Sequence, residues 1–215
     1  MSLYYSDESV TLYHGDCRDE VAWLAADILV TDPPYGIRWS NHSAYNGGTA
    51  GKSIAGDVDT SCRDAALSAW GDRPGIVFGS WAAPFPEHRQ ALVWRKPSDS
   101  GVIGSTTGYR RDTELIFLTG SWPKRSAARS SVLTTDAGMG SYLNGHPHAK
   151  PTSLLLRLLE WTEGKVADPF AGSGSTLVAA KQLGRKAIGV ELEERYCEVI
   201  AKRLAQGVLD FGEAG

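Results

Sequence analysis

The sequence predicts an α/β fold: a mostly parallel sheet with helices on both faces. Three observations carry this expectation. Short apolar runs such as Ile28-Leu29-Val30-Thr31 and Ala187-Ile188-Gly189-Val190 have the length and β-branched content of buried strands. Helical patterns alternate with them along the chain. In the C-terminal third, a strand, a glycine-rich turn, a helix, a second strand and a terminal acid follow one another within about 25 residues, which is a βαβ unit.

Taken in order, Val10–His14 reads as a strand ending at Gly15-Asp16, and Glu20–Leu24 as a short helix. Ala26–Thr31 is a buried strand, stopped by Pro33-Pro34, because proline can continue neither strand nor helix. From Gly36 to about Ser61 the chain is rich in Gly, Ser, Asn and Thr, the composition of a functional or mobile loop. Asp64–Trp70 reads as a helix, and Gly75–Gly79, Ala91–Trp94 and Glu114–Leu118 as short strands. Trp122 to about His148 reads as irregular. Pro151 suits the first turn of a leucine-rich helix. Lys165–Ala167 is a strand leading to Asp168, and Ser175–Leu183 a helix stopped by Gly184. Ala187–Val190 is a strand ending in Glu191, and Glu194–Leu204 an amphipathic helix. The 215 residues suit one domain, 1–215, with no internal repeat.

Composition narrows the function. A formal net charge of −3 argues against clinging to DNA by bulk electrostatics, but not against a local patch. Cations do cluster at Arg95-Lys96, at Arg110-Arg111, and at Lys124, Arg125 and Arg129. Cys17, Cys62 and Cys197 are scattered with no CxxC pair, so reduced cytoplasmic thiols are expected rather than a zinc site or disulfides. Two histidines, His146 and His148, lack a third ligand, so no metal is expected. The N-terminus does not read as a signal peptide, and no apolar run approaches the ~18 residues of a membrane span.

Two motifs carry the chemistry. Asp32-Pro33-Pro34-Tyr35 follows a buried strand and fixes a carboxylate and an aromatic ring at its carboxyl end, where open α/β sheets bind ligands. A rigid acceptor beside a flat apolar plate suits an amino group on a planar heterocycle. Asp168-Pro169-Phe170-Ala171-Gly172-Ser173-Gly174-Ser175-Thr176 places two glycines between a strand and a helix, where backbone approaches a ligand closely. Glu191, ending the next strand, stands where an acid accepts hydrogen bonds from ribose hydroxyls. No lysine follows the second glycine in phosphate-loop fashion, and Leu177 replaces the third glycine of a dinucleotide fingerprint. A nucleoside without phosphates fits better.

The order of these motifs resembles the β-class amino-methylating DNA methyltransferases that use S-adenosylmethionine. Leu12-Tyr13-His14-Gly15-Asp16-Cys17, His146-Pro147-His148-Ala149-Lys150-Pro151, Gly184–Glu191 and Tyr196 extend the resemblance over most of the chain. It implies a circularly permuted, Rossmann-like methyltransferase fold with one antiparallel strand. It implies that Phe170, Gly172 and Gly174 line the cofactor beside Asp168, that Glu191 holds the ribose, and that Asp16 receives the adenine amino group. Lys150 and Thr176 would lie near the methionine end. The catalytic set would be Asp32, Pro33, Pro34 and Tyr35. The implied setting is a restriction-modification or orphan methylase, and the resemblance allows a homodimer.

The exocyclic amine is a poor nucleophile, so the site must offer acceptors to it and align it with the methyl. Asp32 and the Pro33 carbonyl can supply two, and Asp32 could take the surplus proton. The target base must be flipped from DNA, with Tyr35 as its stacking plate. No cysteine follows a proline, which disfavours chemistry on carbon 5 of cytosine. Asp at the first motif position resembles the adenine N6 enzymes. Cytosine N4, RNA or a protein amide remain alternative targets, and a non-catalytic binding module is the rival from another class. A short target-recognition insertion is expected around 122–145, and a loop at 36–61 that could close over the base.

Overall fold

The computed structural model describes residues 2–38, 55–97, 108–135 and 149–206. Among these residues nine strands form one sheet in the order β1-β2-β9-β8-β3-β4-β6-β5-β7. They are β1 (Ser2–Ser6), β2 (Val10–His14), β3 (Ile28–Thr31), β4 (Gly75–Gly79), β5 (Gln90–Arg95), β6 (Thr113–Thr119), β7 (Val132–Thr134), β8 (Val166–Asp168) and β9 (Ala187–Glu191). Four α-helices lie among the described residues: α1 (Ser61–Trp70), α2 (Thr152–Leu159), α3 (Ser175–Gln182) and α4 (Glu194–Ala205). The short helix near residue 22 is a 3-10 turn, Ala22–Ala25.

Strands β2, β9, β8, β3 and β4 run parallel. The expected antiparallel strand is β6, between β4 and β5. A second one, β1, extends the edge by pairing antiparallel with β2. Its turn is made by Asp7, whose Oδ1 accepts the backbone N–H groups of Ser9 (2.8 Å) and Val10 (2.7 Å). Lys181 of α3 closes on the other oxygen at 2.6 Å. The region expected to be irregular from Trp122 contains β7, which adds to β5 in parallel.

Alternation along the central strands builds two cores. Ile28, Val30, Ile76, Phe78 and Val166 face one side, against the leucines of α2, Leu177 of α3 and Ile200 of α4. Leu29, Val77, Ala167, Ile188 and Val190 face the other, against Trp23 and the α1 residues Ala66 and Trp70. A strand buried on both faces reads as a continuous apolar run because neither side meets water. Trp23 and Trp70 stack with ring centroids 5.9 Å apart.

Strands β3 and β8 lie side by side, with Ile28 opposite Val166 and Leu29 opposite Ala167. From β8 the chain passes through α3 to β9 on one side, and from β3 through α1 to β4 on the other. Their carboxyl ends therefore border the crevice in which such sheets bind ligands. Among the described residues, no helix is long and apolar enough to cross a membrane.

Candidate active site

A cleft of about 1050 Å³ opens at the carboxyl ends of the five parallel strands. Both motifs line it: Asp32, Pro33, Pro34 and Tyr35 after β3, and Asp168, Phe170, Gly172 and Thr176 after β8. Asp16 follows β2 into the same cleft, Glu191 ends β9 there, and Glu114 enters from the start of β6. The two motifs are also bonded directly, because Thr31 Oγ1 donates to Asp168 Oδ1 at 2.7 Å.

Asp168 is buried, and burial pushes its carboxyl up to about 6. Hydrogen bonds from Thr31, Thr176 and the Phe170 amide hold it from rising further. Gly174 adopts φ +79°, and a Cβ there would stand 2.8 Å from Ile200 Cγ1, so the turn requires glycine. Glu191 accepts the N–H of Gly172 and that of Glu193, both at 2.7 Å. Burial, the largest influence, raises it to about 7 against those bonds. Asp16 is held by Arg18 through Nε (2.9 Å) and Nη2 (2.6 Å).

Asp32 has a donor on each oxygen. The Tyr35 hydroxyl donates to Oδ1 at 2.6 Å, and Lys150 Nζ donates to Oδ2 at 2.7 Å. Lys150 also reaches the Tyr35 hydroxyl oxygen at 3.3 Å and Glu114 Oε2 at 3.3 Å. On its other side Glu114 pairs with Lys96 at 2.6 Å. Burial opposes the Lys150 charge, yet Asp32 and Glu114 together raise its pKa. Burial likewise disfavours ionised Glu114, yet Lys150 and Lys96 hold its pKa below the ordinary value. Burial and the neighbouring carboxylates push the Tyr35 hydroxyl well up. Behind Tyr35 the chain turns through Gly36, φ +73°, where a Cβ would lie 2.6 Å from the Asp59 carbonyl carbon. Buried Asp57 holds that turn by accepting the Gly36 N–H at 2.7 Å.

Residues 93–203 match the family described as DNA methylase, a span that includes the glycine turn. The YubD protein of Escherichia coli (strain K12), named as a candidate methylase, is 31% identical over 89% of this chain and 88% of its own. The chain belongs to the DNA methylase family of N6 and N4 enzymes.

Solved structures share its fold. The complex of M1.HpyAVI with SAM superposes with a TM-score of 0.63 at 20% identity, covering 91% of this chain and 98% of that one. The cytosine-N4-specific PvuII DNA methyltransferase gives a TM-score of 0.63 at 16% identity, covering 99% of this chain and 90% of that one.

In this DNA methylase eleven of the twelve sequence-expected site residues line the cleft, Pro33 and Pro34 among them. Gly174 stands at the start of α3 beside it. The Lys150 ammonium sits on Asp32 and Glu114. The sequence showed Lys96 only as part of a cation cluster and Glu114 only as the start of a strand, not as residues of the site. The available signal was a lone carboxylate at the mouth of the apolar strand Leu115–Leu118. Arg125 and Arg129, of the cation cluster in the expected 122–145 insertion, pair with Glu163 (3.4 Å) and Glu160 (3.1 Å) and lie over the Trp161 ring. Residues 39–54 of the expected loop 36–61, residues 136–145 of the expected insertion 122–145, and His146 and His148 lie outside the described residues. Among the described residues no cluster could hold a metal ion.

Proposed function

We propose that this DNA methylase transfers a methyl group from S-adenosylmethionine to N6 of an adenine flipped out of duplex DNA. The observation that carries the reading is the convergence of Asp32-Pro33-Pro34-Tyr35 and the Asp168–Thr176 turn on one cleft, at the ends of adjacent strands.

The residues on the glycine side fit the cofactor. Asp16, Asp168, Glu191 and Glu193 give that end carboxylates, which suit a sulfonium and an amine and would repel a polyphosphate. Glu191 spends its carboxylate on two backbone amides and keeps lone pairs for two ribose hydroxyls. Phe170 offers an apolar face, while Gly172 and Gly174 keep the turn free of side chains. Asp16 would accept the adenine amino group, and Thr176 would stand by the methionine end. When bound, S-adenosylmethionine supplies a methyl group already activated on cationic sulfur.

On the other side, Asp32 and the Pro33 carbonyl orient the target amine and favour its pyramidal form as charge develops on nitrogen. Two consecutive prolines hold these acceptors rigidly, so alignment costs little further entropy. Tyr35 stacks on the flipped base, a contact worth about 1–3 kcal/mol for aromatic platforms in general. To do so it releases its hydroxyl bond to Asp32 Oδ1, which frees that oxygen for the amine. Lys96, Arg110 and Arg111 line the same cleft and supply cations near the incoming strand. Asp at the first motif position supports adenine over cytosine.

The test is to incubate the protein with S-adenosylmethionine and duplex DNA and to resolve the digested nucleosides by mass spectrometry. N6-methyladenine is the expected product. N4-methylcytosine instead would move the target to cytosine, and methylated RNA or protein with unmodified DNA would contradict the reading.

A further inference from the structure

Four charges of alternating sign run through the floor of the cleft: Lys96 just after β5, Glu114 on β6, Lys150 before α2, and Asp32 after β3. The Lys150 ammonium is the most enclosed of them, with its side chain 8% exposed and Nζ 5.2 Å from the centroid of the Phe78 ring. A buried ion pair seldom stabilises a fold, because the desolvation penalty consumes the Coulombic gain. The arrangement makes sense as a positioning device. In the ligand-free protein Lys150 and the Tyr35 hydroxyl each hold one oxygen of Asp32, and once Tyr35 yields Oδ1 to the target amine, Lys150 on Oδ2 keeps the carboxylate in place. Glu114 keeps Lys150 in place from behind, and Lys96 keeps Glu114 ionised.

Resting on the function proposed above, we infer that Lys150, backed by Glu114 and Lys96, is the positioning residue for Asp32 rather than a contact to the methionine end of the cofactor. Its charge keeps Asp32 an acceptor for the target amine. Without it, Asp32 and Glu114 would face each other as two carboxylates with no cation between them, and Glu114 would lose one of the two lysines that hold its pKa down.

The experiment compares Lys150→Met, Lys150→Arg, Glu114→Gln and Asp32→Ala, each checked for a native circular dichroism spectrum. Cofactor affinity is measured by calorimetry with S-adenosylmethionine, and turnover by methyl incorporation into duplex DNA across pH. Lys150→Met is expected to bind the cofactor as the parent does and to lose kcat on the order of 100-fold. The acid limb of its pH–rate profile is expected to move to higher pH by roughly one unit or more. Lys150→Arg is expected to restore the acid limb, and Glu114→Gln to lower kcat less than Lys150→Met does. Weakened cofactor binding by Lys150→Met, with the acid limb unmoved, would overturn the inference and return Lys150 to the cofactor. If Lys150→Met does not fold, an unchanged kcat and pH profile in Glu114→Gln overturns it as well. Full turnover by Asp32→Ala is the separate result that removes the parent reading.

Discussion

Thr31 Oγ1 donates a 2.7 Å hydrogen bond to Asp168 Oδ1 across 137 positions of sequence. Thr31 is the last residue of β3 and Asp168 the last of β8, so the bond ties the proline turn to the glycine turn at their shared root. Both residues are buried, which leaves no water to replace the hydroxyl if it is lost. Thr31→Val keeps the shape and removes the donor. It is expected to destabilise the fold by about 1–3 kcal/mol, the cost of a buried acceptor left short of a partner. Denaturant unfolding measures this, and an unchanged midpoint would show that the bond does not matter.

Asp168 and Glu191 both make the ligand-free protein less stable as pH rises. Burial raises Asp168 from 3.8 to about 6 and Glu191 from 4.5 to about 7. Between those values the folded chain holds protons that the unfolded chain has released, so stability falls as pH rises through the window. Each group contributes up to about 3 kcal/mol of that fall. The protein is expected to melt at higher temperature at pH 5 than at pH 8, with Asp168→Asn flattening the difference. Thermal denaturation across pH checks it, and a melting temperature that rises from pH 5 to pH 8 contradicts it.

The parallel strands were legible in the sequence because burial on both faces leaves short apolar runs bounded by Gly, Pro and acids. The ligand end of the sheet was legible for a related reason: Asp32, Asp168 and Glu191 each interrupt or end such a run. Strand β1 was not, because Ser2–Ser6 is an edge with little burial, and its turn depends on Asp7 meeting Lys181 of a distant helix. The 3-10 turn near Trp23 was not legible either, since Trp23 is held by donation from its Nε1 to the Cys17 carbonyl at 3.0 Å. Nor was the pairing of Lys150 with Asp32 and Glu114, three residues whose meeting depends on how β6 lies beside β4.

Cys62 is expected to be the most reactive of the three thiols. A hydrogen bond with Cys17 is the largest influence lowering its pKa, to about 7, with Arg18 assisting against burial. The same contact and burial push Cys17 up, and burial raises Cys197 to about 12. Iodoacetamide at pH 7.5 is expected to alkylate Cys62 well before the other two, because the thiolate is the nucleophile. Cys62 lines the cleft, so saturating S-adenosylmethionine is expected to slow the reaction. Peptide mass spectrometry over time reads the order. Alkylation of Cys197 first would contradict it.

The central claim is that Asp32, on the proline turn, acts on a target amine beside a donor held by the glycine turn. The most direct measurement is transfer of tritiated methyl from S-adenosylmethionine to duplex DNA by Asp32→Ala, paired with calorimetric binding of the cofactor to the same variant. Methyl transfer falling to background with cofactor affinity nearly intact is the expected result. Parent-level transfer by Asp32→Ala would contradict the account.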